Sequence, residues 1–119
     1  MSEGDSRLRI DEQSGAVRVE FIDRNILEES NIQRIGDELL SIVADREQPR
    51  IVLNFRNVEH LSSAALGTLI TVHNKVRARS GQLRLAEIDP QIMEVFAITK
   101  LDTLFEIHES DDAAFASLA

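Results

Sequence analysis

Ile51-Val52-Leu53 is an unbroken apolar run with a polar residue on either side, Arg50 and Asn54. A run this short with no alternation reads as a strand buried on both faces, the pattern of a parallel strand sandwiched between helices. A connection of seven residues follows, and then Ser62 and Ser63 stand directly before a helical pattern. Leu66, Leu69, Ile70, His73 and Val76 fall on one face, predicting a helix from about Ala64 to Arg79 that Gly81 stops. The two serines therefore lie at a helix N-terminus, where backbone N–H groups are unpaired and the dipole favours negative charge. A serine there is either a cap or a hydroxyl offered to a phosphate.

The rest of the chain repeats this strand-to-helix change of period. Leu8 and Ile10, then Val17, Val19 and Phe21, alternate with charged residues across Gln13-Ser14-Gly15, predicting an antiparallel hairpin. Ile32, Ile35, Leu39, Ile42 and Val43 take helical spacing. Gly36 inside that helix costs about 1 kcal/mol relative to alanine. Leu83 and Leu85 predict a strand, and Asp89-Pro90 opens a helix with Ile92, Val95 and Phe96 inward. Leu104, Phe105 and Ile107 predict a last strand, and Ser110-Asp111-Asp112 caps a last helix bearing Phe115 and Leu118. The order β-β-α-β-α-β-α-β-α gives an α/β fold: one mostly parallel sheet with an antiparallel N-terminal edge strand, Ile51–Leu53 being central.

Length and charge narrow the function. The 119 residues suit one domain, with residues 1–6 a small, polar, flexible lead-in and 7–119 the folded part. With 13 basic and 21 acidic residues the net charge is -8, which argues against nucleic acid and against unassisted binding to anionic membrane. No run is long and apolar enough to span a bilayer, and the first residues lack a signal peptide's basic and apolar regions, so a cytoplasmic location is expected. The absence of cysteine excludes thiolate metal sites and cysteine nucleophiles.

His60, His73 and His108 make no metal-ligand spacing. His73, on the apolar helix face, is expected as a packed core histidine with a satisfied hydrogen bond. Leu61-Ser62-Ser63-Ala64-Ala65 lacks both glycines of a hydrolase elbow, and no phosphate-cradling glycine loop occurs. A Ser63 hydrolase would need Ser63 within about 3 Å of His60 or His73. No catalytic residue, metal or cofactor is expected.

The stretch from Ile51 through Gly67 resembles the signature of STAS domains, the fold of bacterial anti-sigma factor antagonists. There a strand leads through a short loop to Asp-Ser-Ser-Gly-Leu-Gly at a helix start, and Ser62-Ser63-Ala64-Ala65-Leu66-Gly67 occupies those six places. Gly81 to Leu85, Pro90 to Phe96 and Leu101 to Ile107 extend the likeness, which spans about residues 16 to 118. The resemblance implies that Ser63 is the phosphorylated serine. It implies two partners, an anti-sigma factor serine kinase and a serine phosphatase. Ser62 departs from the family's Asp and Ala64 and Ala65 from its Ser and Gly. A neutral Ser62 leaves open an alternative, a constitutive STAS interaction module that is not phosphorylated. Gly67 implies close packing or a close partner. The expected partner surface combines Ser62, Ser63, Ala64, Ala65 and Gly67 with Asp23, Arg24, Asn25, Glu59 and His60, on loops leaving the C-terminal ends of strands.

Overall fold

Two residues set the opening hairpin. Ser14 and Gly15 take φ of 52° and 81°, the left-handed pair that a two-residue type I′ turn requires. Across it β1 (Leu8–Gln13) pairs antiparallel with β2 (Ala16–Phe21), Gln13 opposite Ala16 and Leu8 opposite Phe21. The computed structural model describes residues 8–118, so the expected lead-in over 1–6 lies outside the described residues.

After β2 come β3 (Asn25–Ile26), α1 (Glu29–Ala44), β4 (Arg50–Asn54), β5 (His60–Leu61) and α2 (Ser63–Ala78). Then follow β6 (Gln82–Ala86), α3 (Pro90–Ile98), a 3-10 turn at Leu101–Thr103, β7 (Glu106–His108) and α4 (Asp111–Ala116). The main sheet has the order β1-β2-β4-β6-β7, parallel except for β1 at its edge. That is the α/β architecture expected, with β4 central. Ile51, Val52 and Leu53 are all fully buried because helices cover both sides of them. Ile51 and Leu53 join the larger core, where buried residues of α1, α2 and α3 pack on the sheet. Val52 faces the other way, into a small cluster with Ala86 and Ala114 that Phe115 and Leu118 extend.

The structure departs from the sequence expectations in several places. A second, two-stranded parallel sheet, β3 with β5, was not signalled. Val95 is exposed, so only Ile92 and Phe96 of the expected α3 trio face the core. The last strand begins at Glu106, after Leu104 and Phe105. Phe105 is buried by ring contacts instead, its centroid 5.3 Å from His73 and 5.9 Å from Phe96.

At the end of α2 the left-handed residue is Ser80 (φ 57°) and not Gly81. The N–H groups of Ser80 and Gly81 donate to Arg77 O and Val76 O (3.0 and 2.9 Å), a Schellman pattern with Ser80 in the usual glycine place. Gly81 is required for space, since a Cβ there would lie 2.3 Å from Pro49 O. His73 is buried as expected, but among the described residues neither ring nitrogen has a hydrogen-bond partner. Burial first, and then Arg77, hold its pKa below the ordinary histidine value.

Candidate functional site

β2 and β4 are adjacent parallel strands, so the loops leaving their C-terminal ends emerge side by side. The small sheet then ties those loops together. Asn25 pairs with His60 and Ile26 with Leu61. Arg24 O accepts from the N–H groups of both Glu59 and His60 (2.7 and 3.2 Å), and Ile26 O accepts from Ser62 N–H (3.1 Å). Asp23, Arg24, Asn25, Glu59 and His60 are thereby gathered beside the start of α2. Two-residue strands carry no periodicity, which is why only the loops, and not their pairing, were visible in sequence. Arg24 and Glu59 also approach to 3.8 Å. Both side chains are mostly solvated, so this pair contributes about 0–1 kcal/mol.

The helix start separates the roles of the two serines. Ser62 has extended backbone (φ -82°, ψ 165°), and its Oγ accepts from Ala65 N–H at 3.2 Å. Ser62 is therefore the cap. Ser63 is the first helical residue, one earlier than the pattern suggested, and it is exposed. Among the described residues its hydroxyl takes no hydrogen-bond partner, so the capping role left open for Ser63 belongs to its neighbour. α2 has no acidic residue in its first turn, and its N-terminal N–H groups face no built-in carboxylate there.

Of the remaining expected surface, Ala64 and Gly67 are exposed, but Ala65 is 4% exposed. Ala65 shares an inward row with Leu69, Val72 and Val76, so its side chain is covered by the fold and does not line the exposed surface. Among the described residues a Cβ on Gly67 would meet nothing within 4 Å, so packing against them does not explain it. Gly36 is different: a Cβ there would stand 3.0 Å from Thr68 Cγ2, where α1 packs on α2.

Sequence reasoning missed the asparagines behind the loops. Asn54 is fully buried at the end of β4; its Oδ1 accepts from Arg56 N–H (2.7 Å) and its Nδ2 donates to Asp111 Oδ1 (2.8 Å). Asn57 Nδ2 donates to Phe21 O and to Glu20 Oε2, both at 3.1 Å. Polar residues closing a strand were the available signal, though their partners lie far off in sequence. Also missed were Ile22 and Leu27, apolar and 45% and 52% exposed, on the β2–α1 connection beside these loops.

Among the described residues Ser63 Oγ makes no hydrogen bond with His60 or His73. His73 is ten residues along α2 from Ser63, about 15 Å at the helical rise. His108 Nε2 lies 2.9 Å from Glu106 Oε2 on β7. Among the described residues no group of three or more His, Cys, Asp or Glu could hold a metal ion. No helix of the described residues is long and apolar enough to cross a membrane.

Residues 7–114 match the family model described as STAS domain. The chain is 30% identical over 94 residues to a Bordetella bronchiseptica protein named "Putative anti-sigma factor antagonist BtrV", covering 79% of this chain and 80% of that one. Its fold is similar to that of an anti-sigma-factor antagonist (STAS) domain protein from Planctomyces limnophilus, with a TM-score of 0.83 at 16% identity over 94% and 97% of the two chains. It is also similar to the Bacillus cell fate determinant SpoIIAA in the phosphorylated form, with a TM-score of 0.70 at 14% identity over 92% and 97%.

Proposed function

The chain belongs to the STAS domain family, and we propose that it acts as an anti-sigma factor antagonist switched by phosphorylation of Ser63. Unmodified, it binds an anti-sigma factor that is also a serine kinase. Phosphate on Ser63 ends that binding, and a serine phosphatase restores it. The chain is the substrate of this chemistry and not its enzyme, needs no cofactor, and meets its partners in the cytoplasm.

One observation carries the reading: Ser63 stands exposed at the first position of α2 with its hydroxyl unused, because Ser62 has taken the cap. A phosphoserine brings roughly -1.5 to -2 charges, and a helix N-terminus with no acid of its own accommodates an anion. The modification would then leave the fold intact and change the surface that a partner meets. The existence of a phosphorylated form of SpoIIAA, a protein of like fold, supports the reading. So does Gly67, whose open face gives an approaching partner room.

Ser62 favours a second reading. It caps through a neutral hydroxyl and puts no charge beside Ser63, so a kinase that reads an acid there would pass it over. The chain would then be a constitutive interaction module. Incubation with ATP and an anti-sigma kinase that binds the chain, followed by fragment-ion mass spectrometry, separates the two. Phosphate on Ser63 is expected. Phosphate on Ser62 alone reverses the assignment, and none on either serine establishes the constitutive module.

A further inference from the structure

Three acceptors in the 21–26 segment tie it to the 57–62 segment. Phe21 O accepts from Asn57 Nδ2, Arg24 O from the N–H groups of Glu59 and His60, and Ile26 O from Ser62 N–H. The second and third take backbone bonds that many sequences could make. The first depends on what stands at position 57. An asparagine carboxamide has two N–H donors on one nitrogen, and here both are used, on Phe21 O and on Glu20 Oε2. Glu20 is itself fixed. It is 5% exposed, and its Oε1 lies 3.4 Å from Arg9 Nη1 and 3.6 Å from Arg18 Nη2. Asn57 thus ties its loop to the end of β2, five residues before Ser62.

We propose that Asn57 is the positioning residue of the switch, its donated hydrogen bonds setting the pose in which the loop presents Ser63. This rests on the reading of Ser63 as the phosphorylated residue. An aspartate in its place would have the same shape but no donor when ionised. It would also set a second carboxylate against Glu20, a like-charge contact at close range.

Amide hydrogen exchange by NMR on the parent, Asn57→Ala and Asn57→Asp, all at one neutral pH, tests the anchor without any partner. The amides of Glu59, His60 and Ser62 should exchange about fivefold to tenfold faster in both variants, the weight of one net hydrogen bond. Those of Ile51 to Leu53 should keep the parent rate. Parent-like exchange in Asn57→Asp would mean that residue 57 only fills space, and overturns the proposal. Equal acceleration at Ile51 to Leu53 would mean general destabilisation, and overturns it too.

Steady-state phosphorylation by an anti-sigma kinase that binds the parent tests the pose. Asn57→Asp should lower kcat with little change in KM, and an unchanged kcat overturns the positioning role. A parent that binds the kinase but is not phosphorylated removes the reading of Ser63. The positioning of a phosphate acceptor falls with it, whatever the exchange rates show of the anchor.

Discussion

At the start of α2, Ser62 Oγ accepts from Ala65 N–H at 3.2 Å; at the start of α4, Ser110 Oγ accepts from Ala113 N–H at 3.1 Å. Both caps are serines bonding three residues ahead. Beyond the cap the two helix starts diverge. The next residue in α4 is Asp111, whose carboxylate bridges the Arg18 guanidinium and the buried Asn54 amide, while its own N–H donates to Glu87 Oε2. The next residue in α2 is Ser63, exposed and neutral, and no acid lies in that first turn. One N-terminus already holds its anion and spends it on holding the sheet's rear face together. The other has no acid in its first turn and turns a neutral serine to solvent. Cap chemistry alone does not distinguish a structural helix start from a candidate switch; the neighbours do.

The largest effect should come from emptying the filled end. Asp111→Ala leaves Asn54 Nδ2 buried without an acceptor and removes the Arg18 partner that, through its hydrogen bond first, raises the guanidinium pKa. Urea denaturation should show a loss of about 2–3 kcal/mol. A loss below about 0.5 kcal/mol would mean that this network contributes little and that the contrast between the two helix starts is only geometric.

The next effect compares the two serines at the open end. Ser62→Ala should cost about 1 kcal/mol by removing the cap. Ser63→Ala should stay within about 0.5 kcal/mol, since its hydroxyl bonds nothing among the described residues. Ser63→Asp should gain about 0.3–1 kcal/mol by placing a carboxylate at the free end of the dipole. Thermal melts on the three variants rank them, and equal losses for the two alanine variants would mean that Ser63 shares the cap.

Gly67→Ala sharpens the same contrast on the exposed face. Because a Cβ there meets open space, the variant should be more stable by about 0.5–1 kcal/mol. If the glycine serves a close partner, calorimetric titration with the kinase should show weaker binding by that more stable protein. Unchanged affinity would place Gly67 outside the interface.

The smallest effect is a pH slope from His73. Its folded pKa lies below the ordinary 6.5, so on acidification the unfolded chain takes up the proton first. The related stability is intact above that value and is lost as pH falls from it toward the lower folded value. Denaturation from about pH 7.5 to about pH 5 should show this decline, and His73→Leu should flatten it relative to the parent. Identical slopes would mean that His73 finds a partner or water when protonated.

Local pattern along the chain set the period of the main elements, the last strand excepted. Ile51 to Leu53 is central because three successive apolar residues bury only with helices on both sides. Asp89-Pro90 and Ser110 start their helices by contacts two and three residues ahead, which are local and therefore legible. The tie of Asn54 to Asp111 spans 57 residues, and no local pattern announces it. The β3–β5 pair is two residues per strand, too short for alternation, and exists because adjacent parallel strands deliver both loops to one end of the sheet. Which serine caps α2 was likewise decided at a distance. Ser62 N–H is held by Ile26 O, which fits its extended backbone and leaves Ser63 to begin the helix. Val95 was misplaced because periodicity marks an apolar stripe, but the element packed against it decides which residues at its margins are covered; Ala65 was set on the partner surface by its place in the motif, and it is buried. Sequence fixes what repeats along the chain, and tertiary structure decides what depends on residues meeting from afar.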